Sequence, residues 1–233
     1  MVAMKLSTAR KAFLDTIPVL TGYLFLGAGL GILLNENGYG IGWAFLMSLC
    51  IYAGSAQYLL VGLLSSGASV VSSALAILLV NARHLFYGLS LVDVYKNAGK
   101  KKPYMIFALT DETYSLVTQT TLPEGSEKIA YCFLVSLFDH CYWITGCVLG
   151  SLAGALLPLD FSGVSFVLTA LFVTIFVEQW LSSKDHVPAL VGVLSTTVCL
   201  LLFGSDVFLI PSMAAITGLL ILRRGTQGRA AHD

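Results

Sequence analysis

The chain is a succession of long apolar runs, and no other feature of the sequence restricts its fold as strongly. A helix of about 20 apolar residues crosses a bilayer, with a working range of about 17–25. Eight segments approach that length: 17–34, 41–64, 70–92, 104–122, 129–157, 164–182, 187–203 and 207–222. In lipid a backbone must satisfy its own N–H and C=O groups, which selects helix. The expected fold is all-α, a polytopic membrane bundle of about eight hydrophobic segments. Residues 1–16 then form a cytoplasmic N-terminal segment, 17–222 the transmembrane domain and 223–233 a cytoplasmic C-terminal tail. Segment 129–157 is long enough to require tilt or an interfacial start, and the last two segments are slightly short.

Composition agrees. Hydrophobic residues make up 57% of the 233 and charged residues 11%, against roughly 25% charged in a soluble domain. A mean hydropathy of +0.84 leaves too few charges to cover a water-facing surface. Disordered chains, disulfide scaffolds and nucleic-acid binders are excluded. Cys50, Cys132, Cys141, Cys147 and Cys199 fall inside apolar runs with no paired spacing, so they read as small buried hydrophobes. No metal site or cofactor is expected: His84 and His140 lack ligand spacing. Gly54-Ser55-Ala56 lacks the flanks of a nucleophile elbow, so no enzyme is expected either. Lys5, Arg10 and Lys11 before Ile17 imitate a signal peptide, but the apolar run is 18 residues long. A secretory core is about 7–15 residues, so this run reads as an uncleaved first span.

Lysines and arginines in short loops orient a membrane chain. With eight crossings and a cytoplasmic N-terminus, the inside holds Lys5, Arg10, Lys11, Lys128, Lys184, Arg223, Arg224 and Arg229. The outside holds Lys96, Lys100, Lys101 and Lys102. Both termini inside is favoured, on a multi-pass protein of a prokaryotic inner membrane. The Lys100–Lys102 cluster violates the rule. Were it cytoplasmic, one of the first three segments and one of the next three would be re-entrant. Both arrangements stay open at this stage.

Glycine-rich stretches open at Thr21-Gly22 (Gly27, Gly29, Gly31) and at Thr145-Gly146 (Gly150, Gly154), a weak internal repeat of the kind found in transporters. Gly27/Gly31 and Gly146/Gly150/Gly154 recur at i, i+4, which lets helix backbones approach closely. Plain helix packing is the favoured reading, with a partner interface as the alternative.

Polar residues inside the apolar runs mark the candidate site. Tyr52-Ala-Gly-Ser55-Ala-Gln57 either unwinds to face a ligand or supplies one interhelical hydrogen bond. Arg83, His84 and Tyr87 share one helical face with Asn81 beside them. A central arginine costs about 2.5–3.5 kcal/mol on insertion scales, so it needs a partner or an aqueous cavity. Asp111 and Glu112 are the expected partners, with a purely structural ion pair as the bland alternative. Asp139 aligns with Trp143, Gly146 and Gly150, and Glu178 sits in the sixth segment or near the interface. Four acids against one base at membrane depth make full ionisation costly, and intramembrane carboxyls commonly relay protons.

Tyr52-Ala-Gly-Ser-Ala-Gln57, Asn81-Ala-Arg-His-Leu85, Tyr87-Gly-Leu-Ser90 and Leu109-Thr-Asp-Glu-Thr113 resemble successive signatures of the AzlC-type branched-chain amino-acid permease family. Trp143 to Gly150 and Asp160-Phe161 to Phe172 are also similar, so the resemblance covers about residues 11–222. It implies a secondary exporter of leucine, isoleucine and valine that works with a small AzlD-type membrane subunit. The site residues come from the polar-face reading: Tyr52, Ser55, Gln57, Asn81, Arg83, His84 and Tyr87 for substrate, and Asp111, Glu112 and Asp139 for proton coupling. The alternatives are a membrane-embedded scaffold or assembly subunit, and an exporter of a different small metabolite.

Overall fold

The computed structural model describes residues 2–120, 122, 125–157, 165–204 and 208–230. The Asp160-Phe161 motif and the Glu178 side chain lie outside the described residues. Among those described, the regular elements are helices: α1 Val2–Glu36, α2 Ile41–Cys50, α3 Gly54–Ser65, α4 Val70–Val80, α5 Arg83–Ser90 and α6 Val92–Tyr95. A 3-10 turn at Gly99–Lys101 leads to α7 Lys102–Phe107 and α8 Asp111–Gln119. The last four are α9 Ser126–Leu156, α10 Ser165–Ser182, α11 Val187–Phe203 and α12 Leu209–Ala230. The chain divides into two units, residues 1–68 with 80–167 and residues 69–79 with 168–233.

Two long helices organise the first unit. From Thr8 onward, α1 is long and apolar enough to cross a membrane, as is α9. α4 and α5 give a third span if they are one bent crossing. α1 runs unbroken through residue 16. Contacts between α1 and α9 climb in step: Thr8 Oγ1 donates to Glu127 Oε1 at 2.9 Å, and Gly154 faces Asn35 at the other end. The two helices therefore run parallel. Their glycines make this possible. A Cβ on Gly146 would lie 2.6 Å from Tyr23 O, and one on Gly31 would lie 2.5 Å from Ser151 N. Both glycine-rich stretches are thus packed on each other within one chain, which accounts for their spacing without a repeat or a partner. Of the cysteines, Cys132, Cys147 and Cys199 are buried, but Cys50 and Cys141 face outward, contrary to expectation.

Two expected spans are hairpins. The second segment breaks at Ile51–Ala53 into helices of 10 and 12 residues, each about 15–18 Å long against a hydrocarbon core of about 30 Å. α2 descends from the C-terminal end of α1 until Ser48 O meets His140 Nε2 at 3.2 Å, near the middle of α9. α3 then climbs back, from Gln57 at Trp143 to Ser65 beside Asn37. The fourth segment does the same from the other end. α7 enters past Phe133 to Phe107 beside His140, and α8 returns to bury Val117 against Ala12 and Tyr131. Both hairpins are cut by residues that cannot continue a helix as placed: Tyr52 adopts φ +44, and Thr110 is an extended N-cap.

These hairpins settle where the lysine cluster lies. Tyr95, Ala98 and Met105 share a core with Ala12, Tyr131 and Val135, and the Lys101 ammonium sits 4.6 Å above the Phe133 ring centroid. Lys100–Lys102 are therefore at the end of the α1–α9 pair that carries Lys11 and Lys128. Of the two arrangements left open by the sequence, this is the re-entrant one: the second and fourth apolar runs turn back, and the eight-crossing arrangement, which sends the cluster to the opposite side, does not hold.

In the second unit α11 packs along α12, and Asp185 Oδ2 pairs with Arg223 Nη1 at 2.7 Å. The hydrogen bond from Arg223 holds the Asp185 carboxyl below its ordinary range.

Candidate functional site

Three helix breaks meet near mid-depth of the α1–α9 pair. The first, at Tyr52-Ala53, stacks the Tyr52 ring on His140 with centroids 4.2 Å apart. A non-glycine residue at positive φ costs about 1–3 kcal/mol and persists only when its surroundings hold it; here the stacked, buried ring does so. The second break, at Asn81-Ala82, starts α5 with Arg83. The third, at Ala108–Thr110, starts α8 with Asp111 and Glu112, two acids placed where the helix dipole favours negative charge.

A cavity of about 200 Å³ opens where the breaks converge. Ile51, Tyr52 and Ala53 line it from the first, Asn81, His84 and Gly88 from the second, and Ile106, Phe107 and Leu109 from the third. It is smaller than the roughly 300–1,000 Å³ of drug-sized sites. Its wall is mostly apolar, and the N-terminal ends of α3 and α5 border it. The buried Asn81 Oδ1 has no hydrogen-bond partner. His84 Nδ1 lies 3.1 Å from Asn81 O, and this contact holds the ring to the break.

Beside the cavity, Arg83 Nη1 pairs with Asp111 Oδ2 at 2.7 Å, and Arg83 Nη2 donates to Ser55 Oγ at 3.2 Å. The guanidinium thereby ties all three breaks together. Arg83 and Asp111 keep side-chain exposures of 29% and 33%, so the pair is reachable from outside the protein. Arg83 Nε and Asp111 Oδ1 are buried atoms without partners, which leaves unused hydrogen-bonding capacity on both members.

The remaining expected residues divide. Gln57 is fully buried, but its Oε1 accepts from Trp143 Nε1 at 2.8 Å, which directs it away from the cavity wall. The bland reading of one interhelical hydrogen bond describes that contact. Its Nε2 is left without a partner. Tyr87 stacks on Tyr114 at 4.4 Å and is not in the cavity lining. Glu112 Oε2 lies 2.6 Å from Tyr23 OH instead of meeting Arg83. Asp139 has 0% exposure, and its Oδ2 lies 2.7 Å from Thr113 Oγ1.

Four polar residues at this level had no role in the sequence reading: Tyr23 and Tyr104, and Thr110 and Thr113, which it named only as part of a motif. Tyr104 OH lies 3.1 Å from His140 Nδ1. His140 Nε2 faces a carbonyl and must donate, so Nδ1 accepts from Tyr104. Tyr23 precedes Gly27 and Gly31 at the same i, i+4 spacing, so the glycine stripe, extended back one turn, points to it. Among the described residues no group of three or more His, Cys, Asp or Glu could hold a metal ion.

A larger cavity, about 570 Å³, lies in the second unit around Trp180, His186 and Gly192. Its acid, Asp185, is already paired with Arg223.

The sequence profile described as "AzlC protein" matches residues 18–157, which contain all three helix breaks and the smaller cavity. The chain is 40% identical over 215 residues to the "Branched-chain amino acid transport protein AzlC" of Bacillus subtilis, covering 92% of this chain and 85% of that one. It is 40% identical to an "Uncharacterized membrane protein" of Haemophilus influenzae, covering 92% and 88% of the two chains. It is 25% identical to "Inner membrane protein YgaZ" of Escherichia coli over 88% and 84%. No solved structure matches. On the profile match and the Bacillus subtilis relative together, the chain belongs to the AzlC family.

Proposed function

We propose that the protein is a secondary transporter that exports branched-chain and similar small apolar amino acids across the inner membrane, coupled to protons and assisted by a small AzlD-type membrane subunit. The observation that carries this reading is the cavity at the meeting point of the three helix breaks, with Arg83 and Asp111 beside it. Broken helices at mid-depth expose backbone groups to a substrate while the surrounding protein keeps them out of lipid. The N-terminal ends of α3 and α5 favour a carboxylate, and the unpartnered Asn81 Oδ1 can accept from an ammonium group. Ile51, Ile106, Phe107 and Leu109 offer a branched side chain apolar contact.

The Arg83–Asp111 pair supplies a coupling step. With Asp111 ionised, its unpartnered Oδ1 holds the substrate ammonium group beside Arg83. A proton on Asp111 cancels that charge, so proton and amino acid compete for the site. A proton entering from outside therefore releases the amino acid there, and proton loss to the inside readies Asp111 for the next. The name of the Bacillus subtilis relative supports the substrate class. The cavity of the second unit lies outside the matched profile, which favours the smaller one as the substrate site. The glycine faces give no support to the small subunit, since α1 and α9 consume them. The subunit rests on the family resemblance alone.

Counterflow of labelled leucine in proteoliposomes, with and without the small subunit, tests the reading. Leucine exchange that saturates and is competed by isoleucine and valine is expected. A chain that assembles with the subunit but exchanges none of the three is a scaffold or an exporter of a different metabolite.

A further inference from the structure

Five side chains at the level of the three breaks form one continuous line of oxygen-to-oxygen contacts. Glu112 Oε2 lies 2.6 Å from Tyr23 OH, and Tyr23 OH lies 2.8 Å from Thr110 Oγ1. Thr110 Oγ1 is 3.2 Å from Thr113 Oγ1, which is 2.7 Å from Asp139 Oδ2. α1 contributes Tyr23, α8 and its cap contribute Glu112, Thr110 and Thr113, and α9 contributes Asp139. Thr113 and Asp139 have 0% exposure, Tyr23 5% and Thr110 7%. Glu112, only partly buried, is the end nearest the outside.

Counting protons makes the line informative. Each contact needs one hydrogen, and there are four contacts. Each hydroxyl carries one hydrogen, and an ionised carboxylate carries none. Tyr23, Thr110 and Thr113 therefore supply three of the four. With both acids ionised the line breaks at one contact, the longest being Thr110 to Thr113 at 3.2 Å, where Thr110 Oγ1 then accepts only from Thr113 N. A line hydrogen-bonded from end to end takes its fourth proton from a carboxyl.

From this count we infer that Glu112, Tyr23, Thr110, Thr113 and Asp139 form a proton wire that holds one shared proton, carried on Glu112 or on Asp139 but not on both. Starting with the proton on Glu112, the carboxyl donates to Tyr23, Tyr23 to Thr110, Thr110 to Thr113 and Thr113 to the Asp139 carboxylate. When each group passes its proton one step along, every hydroxyl gives one and receives one. Glu112 is left ionised and Asp139 protonated, so one proton has moved from the partly exposed end to the buried end. The hydrogen bonds then run in the reverse sense, ready for return. The other titratable groups facing the line are Tyr52, which faces Tyr23 and stacks on His140, Tyr104, which meets His140 near Asp139, and Asp111, which is held by Arg83. Trp143 covers Tyr23 edge-on at 5.3 Å.

The inference deepens the proton-coupled reading and rests on it for its purpose, but the shared proton is measurable without transport. Infrared spectroscopy of the full chain in lipid at neutral pH should show a protonated-carboxyl band that shifts on deuterium exchange. Glu112→Gln and Asp139→Asn should each abolish it, because either amide supplies the missing hydrogen and lets the remaining acid ionise. A wild type without the band, or a band that survives in either variant, overturns the shared proton. In liposomes, Thr113→Val should lower leucine accumulation driven by a pH gradient about ten-fold or more, and Thr113→Ser should restore it. Equal accumulation by Thr113→Val and wild type overturns relay through Thr113. A wild type that shows the band but moves no leucine refutes the transport reading and leaves the proton count standing.

Discussion

Arg83 shows how far one residue can be read before a structure exists. An arginine at membrane depth demands a partner, and Asp111 in the next segment supplies one at 2.7 Å. What the spacing left open was which of two adjacent acids would do so. α8 begins at Asp111, and Glu112 turns instead to Tyr23. A double-mutant cycle with Arg83→Gln and Asp111→Asn should give a coupling of about 0.5–3 kcal/mol in stability. Strict additivity would mean that the pair contributes nothing. Gln57 carries a second residue-scale test. Trp143→Phe removes the hydrogen bond to a fully buried amide that already has one unpartnered nitrogen. It should cost about 1–3 kcal/mol, and adding Gln57→Leu should recover most of the loss. Thermal or denaturant unfolding in detergent reads both outcomes.

At the scale of elements, glycine spacing was legible and helix breaks were only half so. The i, i+4 glycines of α1 and α9 did mark a close helix contact, with each other. Gly31→Ala should cost about 1–3 kcal/mol as the backbones are forced apart. Gly22→Ala, with nothing within 4 Å of the added carbon, should be neutral or slightly stabilising. Equal effects of the two in an unfolding assay would contradict the parallel packing. Unwinding was one of two readings of Tyr52–Gln57, and the break lies at the start of that stretch, where Tyr52 takes a positive φ. The break at Thr110 had a readable signal that went unused. A threonine followed directly by two acids is a helix start, and it lies inside a run treated as one span. Hydropathy cannot distinguish a crossing from a hairpin, since both bury apolar side chains along their whole length. The Tyr23–Thr110 contact joins residues 87 apart in sequence, and no local pattern reports it.

At the scale of the whole molecule the sequence left two arrangements open, and the lysine cluster distinguished them. Eight crossings put Lys100–Lys102 opposite Lys11, and one re-entrant segment among the first three with one among the next three removes the conflict. The structure turns α2–α3 and α7–α8 back on themselves from opposite ends, so their tips meet where the cavity forms. A cysteine at Lys100 should therefore react with an impermeant maleimide from the same side as one at Lys11. Labelling from opposite sides would restore the eight-crossing arrangement. The central claim is that the meeting tips hold the amino acid, and substrate protection tests it most directly. In a cysteine-free background, alkylation of a cysteine introduced by Ile106→Cys should slow about ten-fold under saturating leucine and stay unchanged under glutamate. An alkylation rate indifferent to leucine, in a variant that still exchanges it, would contradict the account.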